Sequence, residues 1–207
     1  MPVLHPPGSA VTRGWVAAAA VPVATILLLG GAMGDLPPAS PTSVTGAPAA
    51  FPADMPAAPA PFTGTTNGCT VSDPTGTGGC LTPATAWMLN QVTAVFGSLP
   101  GSCWDARAWN PTSDHPDGRA CDFTFGRVGA FPDAADTERG WVLASWLQLN
   151  AGALQVDYLI WAGRIWSLAR AGDGWRPYNG GRIYDPTDPT GGHYDHVHAS
   201  VDDSSRP

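Results

Sequence analysis

The chain has 207 residues, a formal net charge of -7 and few charged residues, with 25 Gly and 22 Pro. That length accommodates one folded domain and an appendage. The acidic balance and the lack of any Lys/Arg run exclude the basic face expected of a nucleic-acid binder.

In chain order, residues 1–14 carry one cation, Arg13, and residues 15–34, WVAAAAVPVATILLLGGAMG, carry no charge. Twenty apolar residues are about the length needed to cross the hydrocarbon core. Arg13 before the segment and Asp35 after it fit a cytoplasmic N-terminus. Two readings of 1–34 stand side by side: a membrane anchor, or a signal peptide with Ala32 and Gly34 before a cut at Asp35. Either exports the rest of the chain. Residues 35–66 are rich in Pro and Ala and are expected to form a disordered linker holding the domain away from a membrane. Residues 67–207 form the domain.

Within the domain, Thr82-Pro83 is a helix start, with a hydroxyl N-cap followed by Pro at the first helical position. Trp87, Met88, Val92, Val95 and Phe96 recur at helical spacing before Gly97. A second helix is expected over about 134–150, capped by Asp133 or Asp136, with Trp141, Val142, Ser145, Trp146 and Leu149 facing inward. Strands are expected at 103–109, 119–125, 156–161, 164–168 and 196–201, the third and fourth joined as a hairpin through Ala162-Gly163. Helices and strands do not alternate regularly, so the expected class is α+β, with an antiparallel sheet and flanking helices. Trp161, Trp166 and Trp175 are read as packing residues rather than a ligand groove.

The four cysteines all lie beyond the apolar segment, which suits disulfides in an oxidising compartment. Of the three pairings, Cys69–Cys80 and Cys103–Cys121 are favoured; the competing use is a cysteine zinc site.

Two segments carry the chemistry: SDHPDGRACDF, residues 113–123, and HYDHVHAS, residues 193–200. Alternate residues of a strand share a face, so His196 and His198 point the same way. A catalytic zinc takes three nitrogen or oxygen ligands and keeps one position open. His115, Asp122 and His198 supply such a set, and Asp195 and His196 stand beside it as candidate bases. Gly118 suits a tight turn between the first two ligands. Asp114 and Asp117 are read as loop residues rather than ligands, and His193 as an exposed loop residue. Asp185 and Asp188 belong to a turn, since the prolines and the absent terminal Glu exclude an EF-hand.

The pattern H-x-x-G-x-A-x-D at His115-Pro-Asp-Gly118-Arg-Ala120-Cys-Asp122, with D-H-x-H far downstream, resembles the family of D-Ala-D-Ala metallopeptidases, lysostaphin-type endopeptidases and sonic hedgehog. It looks most like the D-alanyl-D-alanine carboxypeptidase branch, especially actinobacterial and phage wall-hydrolase domains, over about residues 80–202. The resemblance implies a hedgehog-like, disulfide-stapled fold with one zinc bound by His115, Asp122 and His198. It also implies an extracytoplasmic peptidase acting on peptidoglycan peptides. The domain is expected to be a monomer, tied to the membrane by the N-terminal segment if that segment is not cleaved. The family's base, often a Glu three residues before the last ligand, falls on Asp195, a shorter carboxylate; relatives with an H-x-H pair use its first member, here His196. Arg107 matches an Arg that polarises the scissile carbonyl or holds a substrate carboxylate. The Glu-to-Asp departure keeps a second reading open, a zinc-containing domain that binds wall peptide or a protein partner without cutting. A third is a disulfide-stapled surface domain without metal.

Overall fold

A computed structural model describes residues 55–202. The apolar segment 15–34 and most of the expected linker lie outside them. Two short strands, β1 (Val71–Ser72) and β2 (Cys80–Leu81), pair as a hairpin closed by the Cys69–Cys80 disulfide. Helix α1 (Pro83–Phe96) comes directly after. Thr82 caps it, its side chain accepting from the Thr85 N–H, and Gly97 ends it at φ 78°. Then come β3 (Gly101–Ser102), β4 (Ala120–Thr124), α2 (Ala134–Leu149), α3 (Ala151–Leu154), β5 (Val156–Trp161), β6 (Arg164–Ser167), β7 (Arg176–Pro177) and β8 (His196–Val201). Asp133 caps α2 by accepting from the Asp136 N–H.

Strands β3 to β8 form one six-stranded sheet in the order β3-β4-β8-β5-β6-β7, and every pairing is antiparallel. The expected α+β class with flanking helices holds. The last strand in sequence, β8, lies in the middle of the sheet, and all six of its residues are buried. Its two faces differ in chemistry. Val197, Ala199 and Val201 join the apolar core, together with Leu143, Trp146 and Leu147 of α2 and Met88 and Val92 of α1. His196, His198 and Ser200 alternate with them and face the opposite side. Burying the apolar face is the main favourable term, and it obliges the polar face to find partners within the protein.

Several expectations need correction. The strand foreseen over 103–109 is confined to Gly101–Ser102. Beyond it the chain leaves the sheet because Asp73, turned by Thr75 and Thr77, accepts from the Trp104 N–H at 2.9 Å. Arg107 then adopts φ 36°, so it belongs to a loop, not to a strand end. On α2 the buried residues are Gly140, Leu143, Ala144, Trp146 and Leu147, while Leu149 is exposed. The inward stripe is therefore rotated from the one expected. Gly140 belongs to it because a Cβ there would strike the Trp161 ring, and Trp141 is partly buried against the core, where it meets Trp175 edge-to-face. Trp161 and Trp166 are core residues.

The described part of the expected linker, 55–66, has neither helix nor strand, yet it is fastened to the domain. The Phe62 N–H donates to the Ala153 carbonyl at 2.9 Å, and its ring lies 6.4 Å from that of Trp87. Among the described residues, no helix is long and apolar enough to cross a membrane.

Candidate metal centre

The sheet register builds the site. Asp122 on β4 and His198 on β8 are Cα partners, so their side chains leave the same face side by side. His196, two residues before His198, shares that face. His115 arrives from the loop before β4. There the Gly118 N–H donates to the His115 carbonyl, and the Arg119 N–H to that of Asp114, each at 3.0 Å. Gly118 has φ 67°, and a Cβ on it would collide with the Cys80 carbonyl and the Cys69 sulfur. Glycine is required by both the backbone angle and the space.

His115, Asp122 and His198 are buried, and one ligand atom from each lies within 4.8 Å of the other two. His115 Nε2 stands 3.3 Å from His198 Nδ1 and 3.3 Å from Asp122 Oδ2. His198 Nδ1 stands 2.8 Å from Asp122 Oδ1.

Hydrogen-bond partners on the far side of each imidazole assign the tautomers. His115 Nδ1 meets the Cys103 carbonyl, an acceptor, so it carries the proton and Nε2 presents a lone pair. His198 Nε2 meets the Tyr158 hydroxyl, whose own proton goes to Asp114 Oδ2 at 2.8 Å. The hydroxyl oxygen therefore accepts from Nε2–H, and Nδ1 presents its lone pair to the cluster. Three acceptors thus converge in a buried space. Acceptors this close repel one another unless a cation stands among them. The cluster is one that could hold a metal ion.

A family model described as VldE, C-terminal domain, matches residues 77–194, more than half of the chain. The chain belongs to that family. Within the VldE C-terminal-domain match lie His115 and Asp122; it stops one residue before Asp195, so the strand carrying His196 and His198 lies just beyond it. No curated protein and no solved structure matches the chain.

The electrostatics fit an anion set among imidazoles. Burial would raise the pKa of Asp122, but the neighbouring His196, His115 and His198 side chains hold it well below the ordinary carboxylate range. Burial also lowers the pKa of His198, despite the neighbouring Asp122 carboxylate. The Arg107 guanidinium reaches Asp122 Oδ2 at 2.7 Å and Asp105 Oδ2 at 3.2 Å. The fold therefore brings Arg107 to the site although the element expected to carry it is not a strand.

Asp195 and His196 form a dyad. Asp195 Oδ1 accepts from His196 Nδ1–H at 2.6 Å. Its other oxygen accepts from the Gly129 N–H at 2.6 Å and the Thr190 hydroxyl at 2.7 Å. Burial opposes ionisation, but these donors outweigh it and bring the pKa down to about 2. With Nδ1 protonated, His196 turns Nε2 towards Asp122, 3.6 Å from Oδ1. Burial disfavours a charge on His196, yet Asp122 and Asp195 together raise its pKa.

His193, expected to be an exposed loop residue, is buried at 5% exposure. Its backbone donates to the Thr190 carbonyl and accepts from the Ala162 N–H, which draws the ring inward against Tyr178, His196 and His198. Burial and the two neighbouring imidazoles push its pKa well down. With Arg107, Asn110, Tyr178, Tyr184 and His198, it lines a cavity of about 170 Å³ beside the candidate metal cluster. That is below the roughly 300 Å³ at which drug-sized ligand sites begin, so it suits one small group of a larger ligand.

Asp114 is not a ligand, as expected, but neither is it an ordinary loop residue. It is buried and bound to Arg119, Tyr158 and Ser200. Tyr158 had no signal in the sequence: its role depends on β5 pairing with β8. Asp185 and Asp188 turn the chain before β8 by accepting from Thr187, Thr190 and Gly191. The cysteines form the two favoured disulfides and none is free, which removes a cysteine metal site. Two disulfides are compatible with an extracytoplasmic location.

Proposed function

We propose that this chain is an extracytoplasmic zinc-dependent peptidase of the cell envelope, acting on peptidoglycan peptides as a D,D-carboxypeptidase or endopeptidase. The hedgehog and D-Ala-D-Ala-peptidase fold group belongs to the same reading. The observation that carries it is the convergence of three lone pairs from His115, Asp122 and His198. In a tetrahedral zinc site with bonds of about 2.0–2.1 Å, ligand atoms stand roughly 3.3–3.4 Å apart. Two separations of 3.3 Å, from His115 Nε2 to His198 Nδ1 and to Asp122 Oδ2, match that spacing, while the third, from His198 Nδ1 to Asp122 Oδ1, is shorter at 2.8 Å. Two imidazoles and one carboxylate are also a donor set that suits zinc.

Zinc held there supplies Lewis-acid chemistry, lowering the pKa of water and polarising a carbonyl. His196 Nε2 is the proton acceptor of the site, since Nδ1–H is engaged by Asp195. Asp195, with both oxygens occupied and its pKa near 2, orients His196 rather than taking the proton itself. This divides the two candidate bases into a base and its support. Arg107, lining the cavity, is placed to meet a substrate carbonyl or carboxylate.

A second reading, a zinc-containing domain that binds wall peptide or a protein partner without cutting, is favoured by one observation. The carboxylate at the family's Glu position is turned away into the bonds of Thr190 and Gly129. The deciding experiment measures zinc content and cleavage of a synthetic wall peptide on the full chain and on His198→Ala. The peptidase reading expects about one zinc per chain, as a single site requires, and cleavage, both lost in the variant. Zinc without cleavage favours the binding domain; no zinc removes both.

A further inference from the structure

We propose that Tyr158 and Asp114 are positioning residues that hold His198 with Nδ1 facing the metal centre. The proposal rests on reading His115, Asp122 and His198 as that centre.

The geometry is a chain of single-direction hydrogen bonds. Asp114 is buried at 2% exposure. Its carboxylate meets the Arg119 guanidinium on Oδ1 and the Ser200 and Tyr158 hydroxyls on Oδ2. A carboxylate paired with Arg only accepts, so the single Tyr158 proton is committed to Asp114. What remains on the Tyr158 oxygen is a lone pair, and it stands 3.3 Å from His198 Nε2. An acceptor at Nε2 selects the Nε2–H tautomer. The two rings also lie nearly parallel, 5.3 Å apart at 23°, which limits rotation of the imidazole.

Nothing local to His198 provides this. Tyr158 comes from β5, where it pairs with Ser200, and Asp114 comes from the loop before β4. Because Asp114 precedes His115 in the chain, the same buried carboxylate fixes the turn that delivers His115 and, through Tyr158, the ring of His198. Outer partners of this kind typically change metal affinity by about 10- to 100-fold when removed. A packing role alone predicts a different result: Tyr158→Phe keeps the ring and its stacking and loses one oxygen.

The test uses the full chain, stripped with a chelator and titrated with zinc in competition with a fluorescent indicator. Tyr158→Phe is expected to bind zinc about 10- to 100-fold more weakly while the metal-free protein melts near the wild-type temperature. Nitrogen NMR of the zinc-loaded wild type supplies a readout independent of any variant, with His198 bound through Nδ1 and protonated on Nε2. Wild-type affinity in Tyr158→Phe overturns the proposal, as does binding through Nε2. A wild type that binds no zinc overturns it together with the metal-centre reading, whereas the other two results leave that reading standing.

Discussion

Asp195 Oδ1 lies 2.6 Å from His196 Nδ1, and the same carboxylate is anchored on its other oxygen by the Gly129 N–H and the Thr190 hydroxyl. Those two donors fix which oxygen faces the imidazole, and hence which imidazole nitrogen is left to face Asp122.

This dyad makes a prediction for catalysis. His196→Ala is expected to keep zinc and lose about 10²- to 10⁴-fold in kcat, the usual worth of a positioned base. Asp195→Asn should also lower kcat, by a different route. The donors from Gly129 and Thr190 hold the amide oxygen at the Oδ2 position, so the NH2 faces Nδ1 and the proton of His196 moves to Nε2. Steady-state kinetics on a wall peptide, with zinc content measured alongside, checks both. Near wild-type turnover in His196→Ala sinks the assignment.

Acid stability carries a second prediction. Asp195 is folded with a pKa of about 2, against about 3.9 when exposed. A depressed carboxylate pKa stabilises the fold above the unfolded value and loses that contribution as pH falls towards the folded value. The contribution is roughly 2 kcal/mol at neutral pH, lost between about pH 4 and pH 2. Denaturant melts of the metal-free protein should show Asp195→Asn less stable than wild type at pH 7, with the gap closing by about pH 2. A gap independent of pH argues against the ionised dyad.

The Cys103–Cys121 disulfide supports two members of the candidate metal cluster, His115 and Asp122. The Cys103 carbonyl accepts from His115 Nδ1, and Cys121 immediately precedes Asp122. Replacing both cysteines with Ser opens a bridge spanning 18 residues and is expected to cost about 3 kcal/mol through chain entropy. Zinc affinity of the folded remainder should fall as well. Thermal melts and zinc titration on the same variant separate the effects; a lower melting temperature with unchanged affinity means the bridge serves stability alone.

Local sequence signals carried much of the fold. Thr82-Pro83 and Gly97 bounded α1 because capping depends on the few residues at a helix end. The alternation in His196–Val201 exposed β8 and placed His196 and His198 on one face, since a strand's period is local. The His115, Asp122 and His198 cluster was legible because its members lie in two short segments of distinctive composition. Cross-chain hydrogen bonds were beyond reach. The strand expected over 103–109 ends at Ser102 because Asp73, 31 residues away from Trp104, captures its N–H. The stripe of α2 is set by what Trp161 requires of Gly140, and His193 is buried by a turn that Thr190 and Ala162 hold. Composition and spacing alone determined an α+β domain carrying two imidazoles and a carboxylate fit for a metal. Only the tertiary structure decided that Asp195 serves His196, that Tyr158 and Asp114 stand behind His198, and that Arg107 meets Asp122, because each depends on strand register and loop closure between distant parts of the chain.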